Sequence, residues 1–434
     1  MRRWARRAAL GTGVVGMAAA LFVVGAAVGA PRDSVEPTAP IAKAPVNALN
    51  QSIAALQTTL KQTPKNYRAW SDLGLAYVAA ARITADPTYY PKAEGAFATS
   101  LELRPADNAD AITGQATLAA ARHDFIAALA LVNRSLRIND FSATAYGVKA
   151  DALTELGRYD QAALAVQRML DLQPGTPSFA RASYQRELRG DVGGAREALE
   201  RAAAATSNLS DKAFAQYYLG ELAWNTGSQG AAAAAYQSAL SLDAAYLPAL
   251  TGQAKALAVS DKTAALALYR EAVQTQPQPA FVIELGELLE ATGQTAAAQE
   301  QYNVVRATQQ LFAASGANVD LELALFEADH GSAATSLKYA TAAFRARPDA
   351  ILVQDAYAWA LHKSGRSAQA LPIARKAQRL GTRLPYLRFH LGVIEAAVGE
   401  RAAARRSLSS ALELNPSFNP LQAPAARKLL KSLG

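Results

Sequence analysis

Ala213–Ala244 reads AFAQYYLGELAWNTGSQGAAAAAYQSALSLDA, and its pattern decides the fold. Leu219 and Gly220 sit in a first helix, Gly227 marks a turn, and Ala232, Tyr236 and Ala239 share one face of a second helix. Gly accepts positive φ without steric cost, so Gly227 permits a tight reversal. Small residues at Gly220, Ala232 and Ala239 let helices approach closely, and Tyr236 fills the space between them. The same hairpin recurs about ten times from Tyr67 to Pro416, at a spacing near 34 residues.

The other copies carry the same positions. The first holds Trp70, Leu73, Gly74 and Tyr77, then Ala93, Phe97 and Pro105, with its turn stretched by ITADPTYYPK. The third holds Tyr146, Ala150, Gly157, Ala162, Val166 and Pro174. The tenth holds Leu391, Gly392, Gly399, Ala404, Leu408, Ala411 and Pro416. The second copy, from about Asn108, is degenerate, and the eighth, from about Ala317, is irregular. The residues of the first copy match W-x2-L-G-x2-Y…A-x3-F…P, and the chain resembles the tetratricopeptide repeat family over roughly four-fifths of its length. The resemblance implies an all-α, right-handed α-solenoid. Two flanking pieces, PVNALNQSIAALQTTLKQTP and LQAPAARKLLKSLG, read as capping helices with a polar outer face.

Composition agrees with close-packed helices. Hydrophobic residues are 51%, dominated by Ala, and charged residues are 18%. Cysteine is absent, which excludes disulfides, thiolate metal sites and a cysteine nucleophile. The formal net charge of +8 is unevenly spread. Glu284 to Asp329 is acidic, with Arg306 its only base, whereas Lys363 to Arg406 is strongly basic. One elongated, electrically polarised domain is expected. Basic residues fall mostly on second helices and turns with little aromatic interleaving, which argues against nucleic acid as a partner.

Residues 1–7, MRRWARR, form a basic tail, and Ala8 to Ala30 carries no charge. That span is long enough to cross a hydrocarbon core of ~30 Å as one helix. The arginines would stay in the cytoplasm and place the repeats outside it, giving a single-pass bacterial membrane protein. A cleaved signal peptide and a secreted product form the alternative, with Pro31 opposing cleavage after Ala30. Gly25 and Gly29 spell G-x-x-x-G, a face for weak self-association of membrane helices. Residues 31–46, rich in proline, read as a tether, and 47–434 as the solenoid with its caps.

No catalytic or metal-binding motif stands out, so the expectation is a non-enzymatic protein without a cofactor or metal. His123, His330, His362 and His390 fall in no ligand spacing. Gly11, Gly13 and Gly16 spell G-x-G-x-x-G without a preceding strand. Glu284, Glu287 and Glu290 read as a solvated acidic face, and Asp329-His330-Gly331 as a polar helix end.

The family resemblance also implies where a partner binds. First helices line the concave groove, which assigns Tyr184 and Glu187 of the fourth repeat, and Phe214, Tyr217, Glu221, Trp224 and Asn225 of the fifth. It assigns Asp355, Trp359 and His362 of the ninth, and Tyr386 and Phe389 of the tenth. Aromatics beside single polar groups suit a protein or an extended peptide. The implied function is a protein–protein interaction scaffold; an assembly factor or chaperone for an envelope enzyme, transporter or polysaccharide system is the alternative.

Overall fold

A computed structural model describes residues 44–434, and the basic tail, the uncharged span with Gly25 and Gly29, and residues 31–43 of the tether lie outside them. Every element among the described residues is helical. A lone helix, α1 (Ala44–Gln62), precedes ten antiparallel hairpins. They are α2 (Tyr67–Thr84) with α3 (Tyr89–Leu103), α4 (Ala109–Ala121) with α5 (Phe125–Ile138), and α6 (Ala143–Glu155) with α7 (Tyr159–Leu172). Next come α8 (Thr176–Leu188) with α9 (Val192–Ala204), and α10 (Leu209–Asn225) with α11 (Gln229–Leu242). The second half has α12 (Leu247–Leu257) with α13 (Lys262–Thr275), α14 (Pro279–Ala291) with α15 (Thr295–Ala314), and α16 (Asp320–His330) with α17 (Ala333–Ala346). Then α18 (Ile351–Lys363) pairs with α19 (Ser367–Ala377), and α20 (Pro385–Ala397) with α21 (Arg401–Leu414). A lone α22 (Gln422–Ser432) closes the far end. No helix among the described residues is long and apolar enough to cross a membrane.

Local chemistry starts and stops these helices. Asn66, Asn108, Asp124, Ser142, Asp191 and Asp261 each accept a bond from the backbone N–H three residues on, satisfying an otherwise orphaned donor. Gly157, Gly227, Gly365 and Gly399 take the left-handed conformation at hairpin turns. The irregular eighth copy also has a local cause. Helix α15 runs for 20 residues where α13 has 14, so the chain enters α16 out of step with the period.

Packing follows a wedge rule. The ring of Phe97, fully buried on α3, lies against both Gly74 of α2 and Gly114 of α4. Tyr236 of α11 does the same between Gly220 and Gly252. A Cβ at any of these glycines would stand 2.1–2.6 Å from the ring, so these two aromatics each require bare backbone on both neighbouring first helices.

The hairpins coil until the solenoid meets itself. Gln276 Nε2 donates to Ile83 O, 193 residues away. His123 Nδ1 lies 2.9 Å from Asn318 O, a separation of 195 residues. Tyr159 Oη accepts from Ile351 N–H and Arg347 pairs with Glu155, both at 192 residues. Thr382 Oγ1 donates to Leu188 O and Asn415 Nδ2 to Trp224 O, at 194 and 191. One superhelical turn therefore takes about 192 residues, and the described chain makes about two. At each contact the hairpin turn of one of the first five repeats meets the segment that follows a later repeat. The elongated solenoid expected from the repeats is coiled and closed along a seam.

Candidate functional site

The closed coil surrounds a cavity of about 1360 Å³, lined chiefly by first helices: α2, α8, α10, α12, α14, α16 and α20, with α22 at one end. Pockets for small molecules span about 300–1,000 Å³, so this space is larger than one small ligand needs.

Eight of the twelve residues assigned from sequence line this cavity: Tyr184, Glu187, Phe214, Tyr217, Glu221, Trp224, Asn225 and Tyr386. Tyr217 touches the rings of Tyr218, Tyr236 and Tyr246. Glu221 is fixed by two donors to one oxygen, Tyr236 Oη at 2.6 Å and Lys255 Nζ at 2.6 Å. Lys255 also stands over the Trp224 ring at 5.6 Å. Trp224 itself is only 4% exposed and packs on Ala232 and Tyr236, so it is as much a core residue as a lining one. Asn225 Nδ2 donates to Glu187 Oε1.

The other four residues lie elsewhere. Asp355, Trp359 and His362 on α18 and Phe389 on α20 do not reach the cavity. Trp359 stacks on His390 with centroids 4.1 Å apart and donates from Nε1 to Asp329 Oδ1. Asp355 Oδ2 bonds His390 Nδ1 at 2.8 Å, and both residues are almost fully buried. Phe389 joins the core with Trp359 and Leu408, and His362 bonds Ser367 Oγ within its own hairpin. Here the ninth repeat turns its first helix into packing against the tenth, so the groove positions become core.

Several lining residues escaped the sequence reading. Glu284 and Glu287 face the cavity, not the outer solvent, and only Glu290 of that stripe is exposed. The helix end at Asp329 and His330 is more than a polar terminus. His330 stacks on Tyr302 at 4.2 Å and its Nε2 lies 3.2 Å from Glu287 Oε1. Burial opposes protonation of His330, but Glu287, Asp329 and Glu290 around it raise its pKa. Burial raises the Glu187 carboxyl to about 7, partly opposed by the Asn225 hydrogen bond. Burial likewise raises Glu284 to about 7, against the pull of Lys255 and with Glu221 and Glu287 adding repulsion. Lys255, Tyr246, Tyr269 and Gln309 also line the space. The alternation of packed and inward faces on a first helix is readable in sequence; which inward faces meet across the coil is not. Among the described residues no group of His, Asp and Glu is arranged to hold a metal ion.

Residues 113–177 and 180–246 match the family model for the tetratricopeptide repeat, spanning α4 to α7 and α8 to α11. These two stretches are tetratricopeptide repeats. No curated protein matches it. Among solved structures it is similar to the APC/C hetero-tetramer Cut9–Hcn1, at 12% identity and a TM-score of 0.40, over 90% of this chain and 94% of that one. It is similar to a tetratricopeptide repeat protein from Parabacteroides merdae, at 18% identity and a TM-score of 0.34, over 59% of this chain and 98% of that one. It is also similar to YrrB, a TPR protein with an unusual peptide-binding site. There the identity is 18% and the TM-score 0.30, over 45% of this chain and 97% of that one.

Proposed function

We propose that this protein is a non-catalytic scaffold that holds an extended segment of a protein partner inside its coil. Tetratricopeptide repeats generally serve protein–protein interaction and are typically non-catalytic. The observation that carries the reading is the cavity itself, larger than a small-molecule pocket and lined by aromatics beside single polar groups. An extended chain suits it, since its backbone can use the lining amides and hydroxyls while its side chains meet the rings. The scaffold is anchored in a bacterial membrane by Ala8–Ala30 with the repeats outside the cytoplasm; the charge asymmetry of the first 30 residues supports this placement.

Phe214 and Tyr386 are the residues to test, because both line the cavity and are only partly buried. Phe214→Ala combined with Tyr386→Ala should lose partner capture from membrane extracts by at least ~2 kcal/mol if either is a hot spot, with the helical circular dichroism unchanged. Full capture by a well-folded double variant would remove the cavity from the proposal. A reporter active only after export, fused after Gly434, should be active; a silent reporter would overturn the topology.

A further inference from the structure

The cavity's charge runs opposite to the chain's. The protein carries a formal net charge of +8, yet among the described residues eight carboxylates line the cavity against four Lys and Arg side chains, Arg82, Lys255, Lys262 and Arg427. Some of these carboxylates are already engaged, as Glu221 is with Tyr236 and Lys255. Others keep unused acceptor capacity. Glu322 is 8% exposed; its Oε1 lies 3.5 Å from His123 Nδ1 and its Oε2 has no partner. Gln309 is 3% exposed, and its Oε1 is likewise without a partner. Both residues line the cavity. A buried acceptor left unmatched costs free energy, and a charged one costs more, so these atoms call for donors.

Resting on the scaffold reading above, we infer that the segment held in the cavity is a cationic peptide, with Lys or Arg side chains set between aromatic ones. An ammonium or guanidinium supplies donors and no acceptor, so it can satisfy Glu322 Oε2 and Gln309 Oε1 once those side chains turn to the cavity. It also gains from ring faces, and Tyr184, Phe214, Tyr218, Tyr246 and Tyr386 bring several to the same space. An acidic peptide would meet an acidic lining at Glu287, Glu322 and Asp329. A neutral one would leave the buried carboxylates uncompensated.

The test uses the full-length chain in detergent and three labelled peptides of equal length, alternating Tyr with Arg, Gln or Glu. Fluorescence anisotropy should show the Arg peptide binding about tenfold more tightly than the Gln peptide at moderate salt. Glu322→Gln with Glu284→Gln should erase most of that preference. Glu197→Gln, on an exposed outer pair with Arg201, should leave it intact. Phe214→Ala with Tyr386→Ala should weaken all binding. Equal or better binding of the Gln or Glu peptide, still lost in the Phe214/Tyr386 variant, would overturn the cationic inference and leave the scaffold reading standing. Arg-peptide binding that survives the Phe214/Tyr386 variant would place it outside the cavity and overturn both. Failure of all three peptides to bind would overturn the inference, as would tighter binding of a neutral oligosaccharide than of the Arg peptide.

Discussion

Gly220 and Gly95 are both helical glycines, and the space beside each sets opposite expectations. A Cβ on Gly220 would stand 2.4 Å from the Tyr236 ring, which is fully buried and cannot retreat. Gly220→Ala should therefore destabilise by roughly 1–3 kcal/mol, as overpacking does. Gly95 is exposed on α3 with nothing within 4 Å. Gly95→Ala removes backbone freedom from the unfolded chain at no steric cost and should stabilise by about 0.5–1 kcal/mol. Denaturant midpoints measured side by side check both signs. Equal shifts in one direction would show that the aromatic wedge does not govern the first-helix glycines. The same rule explains why Trp224 and Tyr217 are poor probes of binding alone: each touches Tyr236, so truncating them opens the core.

Helix α14 shows what an element gains and loses by facing inward. Its outward side is core, with Val282, Leu285 and Leu289 buried, and its cavity side carries Glu284 and Glu287. Glu284 meets Tyr269 from α13, Lys255 from α12, Glu221 from α10 and Glu287 on its own helix. Its folded pKa of about 7 lies above the ordinary value of 4.5, so the native state holds this proton more tightly than the unfolded one. The associated stability is fully present below about pH 4.5 and is lost as pH rises through about 7. Glu284→Gln, which cannot ionise, should be more stable than the parent by roughly 1–2 kcal/mol at pH 8, allowing for solvent in the cavity. The difference should shrink towards zero near pH 4.5. Urea unfolding at the two pH values is the measurement, and a difference of the same size at both would contradict the assignment.

The seam is a property of the whole molecule. Gly157 has φ +75, and a Cβ there would stand 2.2 Å from the backbone of Asp349 across the coil. Gly365 occupies the equivalent turn of the ninth repeat with φ +77, and among the described residues nothing lies within 4 Å of a Cβ there. Ala at either position meets the left-handed strain of about 1–2 kcal/mol. Only Gly157→Ala should also part the seam and strain the buried Arg347–Glu155 pair, whose nitrogen and oxygen are 2.9 Å apart. Small-angle scattering should show a larger radius of gyration for Gly157→Ala and an unchanged one for Gly365→Ala, both fully helical. Matching radii in the two variants would mean that the seam yields without opening.

The hairpin repeat, the capping helices and the glycine turns were legible in the sequence, because each is set by contacts within about 34 residues. Phe97 and Tyr236 reveal their partners through spacing alone, since the glycines they press on lie in the same repeat and the next. The inward side of the fourth and fifth first helices was implied by the family resemblance. Closure of the coil did not. Tyr159 and Ile351, or Trp224 and Asn415, meet only after the small rotation between neighbouring hairpins has accumulated over about 192 residues, and no local pattern encodes that sum. For the same reason Glu284 and Glu287 read as solvated until the coil placed them around a shared cavity, while Trp359 read as groove-facing until α20 covered it. Local periodicity determined the hairpins; the accumulated rotation between them decided which faces became an interior.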